Sequence, residues 1–315
     1  MVYRTIADLS ALIRTNIHKI PHDVDLVVGV PRSGMLPAMM IALQLNKRVV
    51  NLDAFVAGIF WGAGENSQYI SNGEIKKVLI VDDSVRTGNA INNAKGKIKK
   101  VDLPYQYIYL SPIVTTVAKE NVDIYFEIID DNRIFEWNLW RHDVIESACL
   151  DIDGVLNIDP TFETDDDGSN YIRFLQNAKP LFIPAAPVDT LISCRLEKYR
   201  SYTEEWLKRY KIQYKHLVML DLPSKSERLR WNKHGLYKAK YYKEHRNLSL
   251  FIESGIDQAQ VIADYTQKPV LCIETNSLVH PSESVSTKKK IRRTIKRRFP
   301  RMYVIFKQVC LRNKE

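Results

Sequence analysis

The sequence predicts an α/β protein of two domains followed by a basic helical tail. Short apolar segments that favour β-strands alternate with helical patterns from residue 4 onward, which is typical of a parallel sheet covered by helices on both faces. The same alternation starts again at residue 148, and at 315 residues the chain exceeds one average domain. We therefore expect domains at residues 1–145 and 146–280, with the tail at 281–315.

Each predicted element follows from local patterning. In residues 4–17, apolar side chains recur on one helical face. The first series continues with a strand at 25–30, a helix at 35–45, strands near 48–52 and 77–82, a helix after Gly88, and strands at 105–112 and 122–129. The second series has strands at 148–153, 187–193, 216–220, 248–252 and 269–273. Because these strands are short and apolar, we expect them to be buried on both faces of parallel sheets.

The composition indicates a globular protein of a reducing compartment. Hydrophobic residues make up 45% of the chain, which is enough for well-packed cores. The four cysteines show neither a CxxC pair nor metal-binding spacing, so we expect reduced thiols. The N-terminus has no signal-peptide pattern, and no uncharged run approaches the roughly 20 apolar residues that span a bilayer. A cytoplasmic location is expected.

The net charge of +9 is concentrated in the tail. Twelve of the 46 Lys and Arg residues lie in residues 288–315 with a single Glu, which leaves 34 basic and 36 acidic residues elsewhere. Ile291, Ile295 and Phe299 recur at helical spacing among these basic residues. The pattern over 288–312 predicts an interfacial helix on an anionic membrane surface, at the inner face of the cell membrane. Nucleic-acid binding and a disordered, solvated tail are the alternatives; no RNA-binding motif accompanies the basic residues, so nucleic acid is not favoured.

The most informative segment is residues 78–88. Four apolar β-formers lead into Asp82 and Asp83, at the carboxyl edge where open α/β sheets bind ligands. Two adjacent carboxylates can accept hydrogen bonds from a ribose diol. The turn that follows consists of Ser84, Val85, Arg86, Thr87 and Gly88. Its backbone N–H groups, its hydroxyls and the helix N-terminus behind them suit a phosphate.

A second anion-binding candidate lies upstream. Residues 27–38 form a strand, a Pro/Gly turn and a helix, with Arg32, Ser33 and Gly34 in the turn. Such a loop presents N–H groups and a guanidinium to an anion, and Gly34 allows close backbone approach. Alone, the pattern is equally consistent with a plain strand–helix turn.

In this order, the two segments resemble the pyrophosphate loop and the phosphoribosyl diphosphate (PRPP) motif of type I phosphoribosyltransferases, over roughly residues 20–142. The resemblance implies PRPP and Mg²⁺. Asp82 and Asp83 would bind the ribose hydroxyls, the 84–88 turn the 5-phosphate, and the Arg32 loop the pyrophosphate.

Two departures from that family concern the acceptor. Arg86 stands where purine-salvage members usually carry an acidic residue, and residues 58–69 lack the Lys and Arg of the orotate enzymes. A nucleobase acceptor is therefore not favoured. Trp61, Trp137 and Trp140 provide either a platform for a sugar face or ordinary core aromatics.

The second domain carries acidic residues at strand ends. Asp151 and Asp153 follow its first strand, and Ser193 ends the next one. A carboxylate nucleophile with a second carboxyl two residues on is the arrangement needed to form an aspartyl phosphate and to protonate its leaving group. Downstream lie a lysine, Lys238 with Lys240 as the alternative, and the acids Glu253 and Asp257, whose oxygens suit Mg²⁺.

This set resembles the motifs of haloacid dehalogenase (HAD) phosphatases over roughly residues 147–275. The resemblance implies a Rossmannoid sheet with Asp151, Asp153, Ser193 and Lys238 as catalytic residues. It also implies a Mg²⁺ site formed by Asp151, Asp153, Glu253 and Asp257, with Glu253 where Asp is more usual. The intervals between these motifs are filled by the core elements themselves, so we expect no cap domain and a site open to large substrates.

Together, the two halves resemble fused phosphoribosyltransferase–phosphatase proteins that supply ribofuranose to bacterial surface polysaccharides. This implies a bifunctional enzyme with Mg²⁺ in both domains, using PRPP and a lipid-linked glycan acceptor. Two alternatives stay open: a nucleobase-salvage enzyme fused to a nucleotidase, and a PRPP-sensing regulator that binds nucleic acid.

Overall fold

The computed structural model describes residues 1–60 and 74–282, and the chain divides into two compact units. The first unit is Met1–His142, and the second begins at Asp143. Both units are α/β with parallel sheets, which confirms the predicted class. Apart from its first two residues, the proposed tail lies outside the described residues, as does Trp61.

The first unit contains a six-stranded sheet in the order β3-β2-β4-β6-β5, with β7 also paired to β6, and every pair is parallel. Its elements, together with two short strands outside that sheet, are β1 (Val2–Arg4), α1 (Ile6–Asn16), β2 (Leu26–Gly29), α2 (Met35–Leu45), β3 (Arg48–Asn51), α3 (Leu52–Val56), β4 (Lys77–Val81), β5 (Ser84–Val85), α4 (Asn89–Val101), β6 (Gln106–Val114), β7 (Ile124–Ile128) and β8 (Arg133–Phe135).

The central strands of this sheet are buried on both faces. Val28 and Ile80 point into a cluster formed with Phe55 of α3 and with α4. Leu79 and Val27 lie in the opposite cluster, formed with α1 and α2. Because successive strand side chains alternate between faces, continuous apolar runs are what a doubly covered parallel sheet requires. This sandwich fixes the carboxyl ends of β2 and β4 side by side, with Gly29 in register with Val81.

Three strands of three residues were not predicted: β1, β8 and, in the second unit, β14 (Ser277–Val279). β1 and β8 pair in parallel as a separate two-stranded sheet, in the register Tyr3↔Ile134. Such short strands carry too little alternation to be recognised locally. Directly after β8, a 3₁₀ segment over Glu136–Arg141 carries Trp137 and Asn138.

The second unit contains a six-stranded sheet in the order β11-β10-β9-β12-β13-β14, parallel except for the last pair. Its elements are β9 (Ala148–Leu150), α5 (Ser169–Asn177), β10 (Val188–Leu196), α6 (Arg200–Arg209), β11 (Tyr214–Leu220), α7 (Lys225–Trp231), α8 (His234–Glu244), β12 (Leu250–Glu253), α9 (Ile256–Thr266), β13 (Val270–Cys272) and β14 (Ser277–Val279). Residues 151–168, between β9 and α5, contain turns and an isolated bridge at Asp153 and Asn157, with no helix or longer strand.

Three of the cysteines, Cys149, Cys194 and Cys272, are free thiols. Within residues 1–60 and 74–282, no helix combines the length and the apolar character needed to cross a bilayer.

Candidate functional site

The end of β4 delivers two carboxylates to the edge of the first sheet. Asp82 and Asp83 follow a strand whose last four residues are fully buried, and each is only 5% exposed. The Asp82 N–H donates to the carbonyl of Leu110 at 3.0 Å, which keeps the chain in sheet register beyond the strand. Asp82 Oδ1 accepts from the Asp83 N–H at 2.9 Å. Both predicted ribose-binding residues therefore lie where the sequence placed them.

Asp83 is held by donors from two other segments. Ser33 Oγ donates to Oδ1 at 2.8 Å, while Trp137 Nε1 and Asn138 Nδ2 donate to Oδ2 at 2.8 and 3.2 Å. Sequence reasoning missed the role of Trp137 and Asn138, because they approach from more than 50 residues away. Trp137 also stacks on Phe135, with ring centroids 4.8 Å apart, so that face is covered and not free for a sugar.

Asp82 holds a proton more strongly than an exposed aspartate does. Burial, and then the negative charge of Asp83, raises the pKa of Asp82 to about 7. At neutral pH the pair therefore shares one proton much of the time. A carboxyl–carboxylate pair can both donate to and accept from the hydroxyls of a ribose diol.

The Arg32 loop packs directly against the Asp82 turn. The Val30 N–H donates to the Val81 carbonyl at 2.8 Å, and α2 begins just after Gly34. A Cβ at Gly34 would lie 2.5 Å from the Val30 carbonyl oxygen, 2.8 Å from that of Val81 and 3.0 Å from Asp82 Cα. These neighbours are backbone atoms, so a side chain would force the two loops apart. Arg32 itself is exposed at this edge, and the Pro31–Arg32 peptide bond is cis.

The 84–88 turn has a buried residue, Val85, followed by two residues with exposed side chains, Arg86 and Thr87. Val85 is buried at 3% exposure, so its N–H and not its side chain is the group it can offer a phosphate. The Arg86 carbonyl accepts from Thr115 Oγ1 at 2.8 Å, while the side chains of Arg86 and Thr87 are exposed. Gly88 directly precedes α4. The turn thus places backbone donors and one guanidinium at the sheet edge that carries Asp83.

In the second unit, two carboxylates at the ends of adjacent strands share one lysine. Lys238 Nζ donates to Asp151 Oδ2 at 2.7 Å and to Glu253 Oε2 at 2.9 Å, and all three side chains are almost fully buried. Burial disfavours the charged form of Lys238, but the two carboxylates outweigh it and raise its pKa. Burial also raises the pKa of Asp151, and Lys238 opposes that rise. Lys238, not the exposed Lys240, is therefore the lysine that favours an ionised Asp151.

Asp153 has a different partner from Asp151. Its carboxylate accepts from Arg195 Nε at 3.0 Å and Nη2 at 2.6 Å, and from Asn157 Nδ2 at 3.1 Å. Burial acts to raise the pKa of Asp153, but Arg195 outweighs it, so the pKa lies below its ordinary value. The sequence analysis missed Arg195, although an arginine two residues after Ser193 in an apolar strand is an available signal. Ser193 is buried, and its Oγ accepts from the Arg195 N–H at 3.1 Å.

The four predicted Mg²⁺ ligands are not equivalent in the structure. Asp151 and Glu253 meet at Lys238 and fit Mg²⁺ in kind, since both offer carboxylate oxygens. Asp153 is engaged by Arg195, and Asp257 is exposed in the first turn of α9. Among the described residues, no group of three or more His, Cys, Asp or Glu side chains is arranged to hold a metal ion. A four-carboxylate site stays a prediction.

The turn after Asp153 requires glycine. Gly154 has a φ of +73°, in the left-handed region. A Cβ there would lie 2.5 Å from Ser254 Cβ and 2.8 Å from Asp159 Oδ2. The chain therefore packs tightly against the segment after β12, which keeps Asp151 and Glu253 together.

No protein-family model and no curated protein matches the sequence. Among solved structures, the chain is similar to the purine phosphoribosyltransferase from Pyrococcus horikoshii Ot3, with 21% identity over 43% of this chain and 92% of that chain and a TM-score of 0.33. It is also similar to the xanthine-guanine-hypoxanthine phosphoribosyltransferase from Helicobacter pylori, with 19% identity, coverage of 44% and 92%, and a TM-score of 0.33. A third similar structure is the orotate phosphoribosyltransferase from Aeropyrum pernix, with 18% identity over 39% of this chain and 70% of that chain and a TM-score of 0.28.

The shared proton of the first site predicts a pH-dependent gain in stability for Asp82→Asn. Folding raises the pKa of Asp82 above its unfolded value of about 4, so ionising it costs wild-type stability as the pH rises from about 4 to 7. The substitution removes that cost. We expect the variant's free energy of unfolding, relative to wild type, to increase by roughly 2–4 kcal/mol between pH 4.5 and pH 8 in urea titrations. Asp131→Asn, at an exposed carboxyl, is the control; a gain that does not change with pH would refute the assignment.

The buried lysine predicts a large loss for Lys238→Met. Removing it leaves Asp151 and Glu253 adjacent and uncompensated, which should lower the free energy of unfolding by about 3–5 kcal/mol at pH 7.5. The loss should shrink toward pH 4.5, because protonation of either carboxyl relieves the repulsion. Lys240→Met, two residues along the same helix, should change stability by less than about 0.5 kcal/mol. Equal effects at the two positions would show that the ion pair is not what stabilises the site.

Proposed function

We propose that the chain is a bifunctional ribofuranosylation enzyme. The first unit transfers 5-phosphoribosyl from PRPP to a lipid-linked glycan with release of pyrophosphate, and the second, acting as a HAD-like phosphatase, removes the 5-phosphate. One observation carries the proposal. In each unit, the carboxyl edge of a parallel sheet presents a fixed carboxylate beside groups suited to a phosphate: Asp83 with the 84–88 turn, and Asp151 with Lys238.

In the transfer step, an acceptor hydroxyl oxygen forms a bond to the anomeric carbon as the bond from that carbon to pyrophosphate breaks. The hydroxyl proton leaves to a base, and pyrophosphate takes the bonding electrons. Asp82 and Asp83 hold the ribose hydroxyls, and the N–H groups of the 84–88 turn hold the 5-phosphate. Arg32 offsets the negative charge that develops on the leaving group.

In the hydrolytic step, an Asp151 oxygen attacks the phosphorus, and the bond to the ribosyl 5-oxygen breaks. That oxygen leaves with a proton, and Asp153 could supply it only after Arg195, which holds its pKa below the ordinary value, has turned away from it. Water then cleaves the aspartyl phosphate to release inorganic phosphate. Lys238 favours the ionised nucleophile and offsets phosphate charge. Ser193 lies inside the neighbouring strand β10, which continues to Leu196, and not at its end as the sequence predicted. In both units, Mg²⁺ would supply further neutralisation of phosphate charge, with Asp151 and Glu253 as its carboxylate ligands in the second.

Two features support a large glycan acceptor over a nucleobase. Arg86 occupies the turn position where purine-salvage enzymes usually carry an acid, and its side chain is exposed at the site. In the second unit, residues 151–168 contain no helix that would form a cap over Asp151. A site without a cap domain would admit a large phosphorylated product.

A single substitution should separate the two steps. With PRPP, Mg²⁺ and a lipid-linked glycan, the wild type should release pyrophosphate and inorganic phosphate in equal amounts. Asp151→Asn removes the nucleophile, so inorganic phosphate release should fall by at least about 1,000-fold while pyrophosphate release persists. Mass spectrometry should then find a product that still carries phosphate. Glu205→Gln, exposed on α6, is the control.

The outcomes of this experiment also discriminate the alternatives. No pyrophosphate release with any glycan would overturn the transfer step. Pyrophosphate release that depends on a nucleobase would establish the salvage enzyme. PRPP binding without turnover, combined with salt-sensitive RNA binding, would establish the regulator.

We place the enzyme at the inner face of the cell membrane on sequence grounds. Residues 288–312 combine basic and apolar residues at helical spacing, which suits an anionic lipid surface. The full chain should float with phosphatidylglycerol vesicles and not with phosphatidylcholine vesicles. Reversing the charges of Arg292 and Arg293 to Glu should reduce flotation several-fold, whereas reversing Lys99 and Lys100, exposed on α4, should not. Equal flotation with both lipids would contradict this placement.

A further inference from the structure

Arg133 is a buried cation whose hydrogen bonding is incomplete. It is the first residue of β8 and is 7% exposed, and its Nη1 group has no hydrogen-bond partner among residues 1–60 and 74–282. Arginine stays charged at any physiological pH. Burying a charged donor without an acceptor is strongly destabilising. An incompletely bonded buried guanidinium is therefore typical of a site that takes an anion.

The two carboxylates that attract Arg133, Asp83 and Asp130, already accept hydrogen bonds from other groups. Asp130 accepts from the Thr116 N–H at 2.7 Å through one oxygen and from Thr116 Oγ1 at 2.6 Å through the other. Both oxygens of Asp83 accept from other side chains as well, as described above. Asp83 and Asp130 therefore attract Arg133 through space, but no hydrogen bond from Arg133 to either carboxylate is found among the residues that the structure describes.

A packed chain of rings joins Arg133 to the proposed PRPP site. Its guanidinium carbon lies 5.8 Å from the centroid of the Phe135 ring. Phe135 stacks on Trp137 with an angle of 4° between the ring planes, and Trp137 Nε1 donates to Asp83. Since each contact is between packed side chains, the position of Arg133 relative to Asp83 is fixed by the fold.

Arg86 adds a second cation to the same region. Its backbone is anchored by Thr115 Oγ1, and its exposed side chain belongs to the turn that follows Asp83. Burial, and then repulsion from Arg86, lowers the pKa of Arg133, while Asp83 and Asp130 act in the opposite direction. Two guanidiniums therefore repel each other beside a carboxylate that is already satisfied by neutral donors. An anion bound by either guanidinium would lessen that repulsion.

We propose that the acceptor of the transfer reaction carries a carboxylate or phosphate group, which Arg133 and Arg86 bind beside Asp83. The inference rests on the proposed function and names its substrate class. Guanidinium groups bind either anion in a two-pronged geometry. The phosphates of PRPP have other donors in the N–H groups of the 84–88 turn and in the Arg32 loop, so the charge at Arg133 is left for the acceptor. A neutral acceptor would leave Nη1 unpaired in the complex.

The test compares acceptor probes that differ in charge. Binding of methyl glucuronide, glucose 1-phosphate and methyl glucoside is measured by calorimetry on full-length protein carrying Asp151→Asn, with Mg²⁺ and ribose 5-phosphate in the donor site. We expect at least one acidic probe to bind about 10- to 100-fold more tightly than the neutral one. A preference for the glucuronide identifies an acidic sugar, and a preference for the phosphate identifies the phosphate of a lipid-linked acceptor.

Variants connect that preference to the two arginines. Arg133→Met should reduce the acidic-to-neutral affinity ratio to near one. Arg86→Gln, at an exposed side chain, should reduce it in the same direction without a risk to folding. Arg14→Met, exposed on α1, removes the same charge elsewhere and should keep the ratio.

Each outcome decides the inference. Equal or undetectable binding of all three probes, a preference that survives both arginine substitutions, or a loss of ribose 5-phosphate affinity in Arg133→Met without a change in the ratio would overturn it. An acidic preference that needs Arg133, in a protein that never releases pyrophosphate, would leave the inference standing and refute the proposed function. Pyrophosphate release with neutral glycans, without a preference for acidic probes, would refute the inference and leave the proposed function standing.

Discussion

Burying carboxylates at the ends of apolar parallel strands is the constraint on which both units depend. In the second unit, Asp151 directly follows β9 and Glu253 ends β12, and these adjacent strands are paired in register at Leu150 and Ile252. Two negative charges brought so close, out of contact with water, would be strongly destabilising alone. Lys238 on α8 resolves this by donating to both. The packing of α8 on the sheet is therefore an electrostatic requirement as well as a hydrophobic one.

The first unit meets the same constraint without a lysine. Asp83 accepts from Ser33, Trp137 and Asn138, all neutral donors. Such donors stabilise a negative charge by hydrogen bonding without neutralising it. The remaining repulsion falls on Asp82, whose pKa rises to about 7 as a result of burial and of Asp83. The donors come from the loop after β2 and from the segment after β8. Two segments that are far apart in the sequence therefore meet at one carboxylate, that of Asp83.

This convergence explains what the sequence could and could not predict. The strands, and the positions of Asp82, Asp83 and Asp151 at their ends, follow from short-range apolar patterning. Trp137 and Arg195 reach their carboxylates from 54 and 42 residues away, so no local pattern signals these contacts, although an arginine in an apolar strand marks Arg195 itself as unusual. The arrangement of the strands in the folded sheet determines which carboxylate each of these residues contacts. The same holds for Arg133, whose strand of three residues pairs with Val2–Arg4, at the other end of the unit's sequence. Motif positions are local properties, whereas the charge state of a motif is a property of the fold.

Under the proposed function, the two sites must treat the same phosphate ester in opposite ways, and their side-chain environments differ accordingly. The first unit must hold a 5-phosphate without breaking its ester bond, and the second must break it. Asp83 accepts from the neutral donors Ser33, Trp137 and Asn138, and Asp82 carries a proton for much of the time at neutral pH. Asp151 instead accepts from the buried ammonium group of Lys238, which opposes the rise in its pKa that burial causes. Under the proposed function, a cation beside the nucleophile also offsets the charge of the phosphate that it attacks. The neighbouring groups would thus favour ribose binding at one aspartate pair and nucleophilic attack at the other.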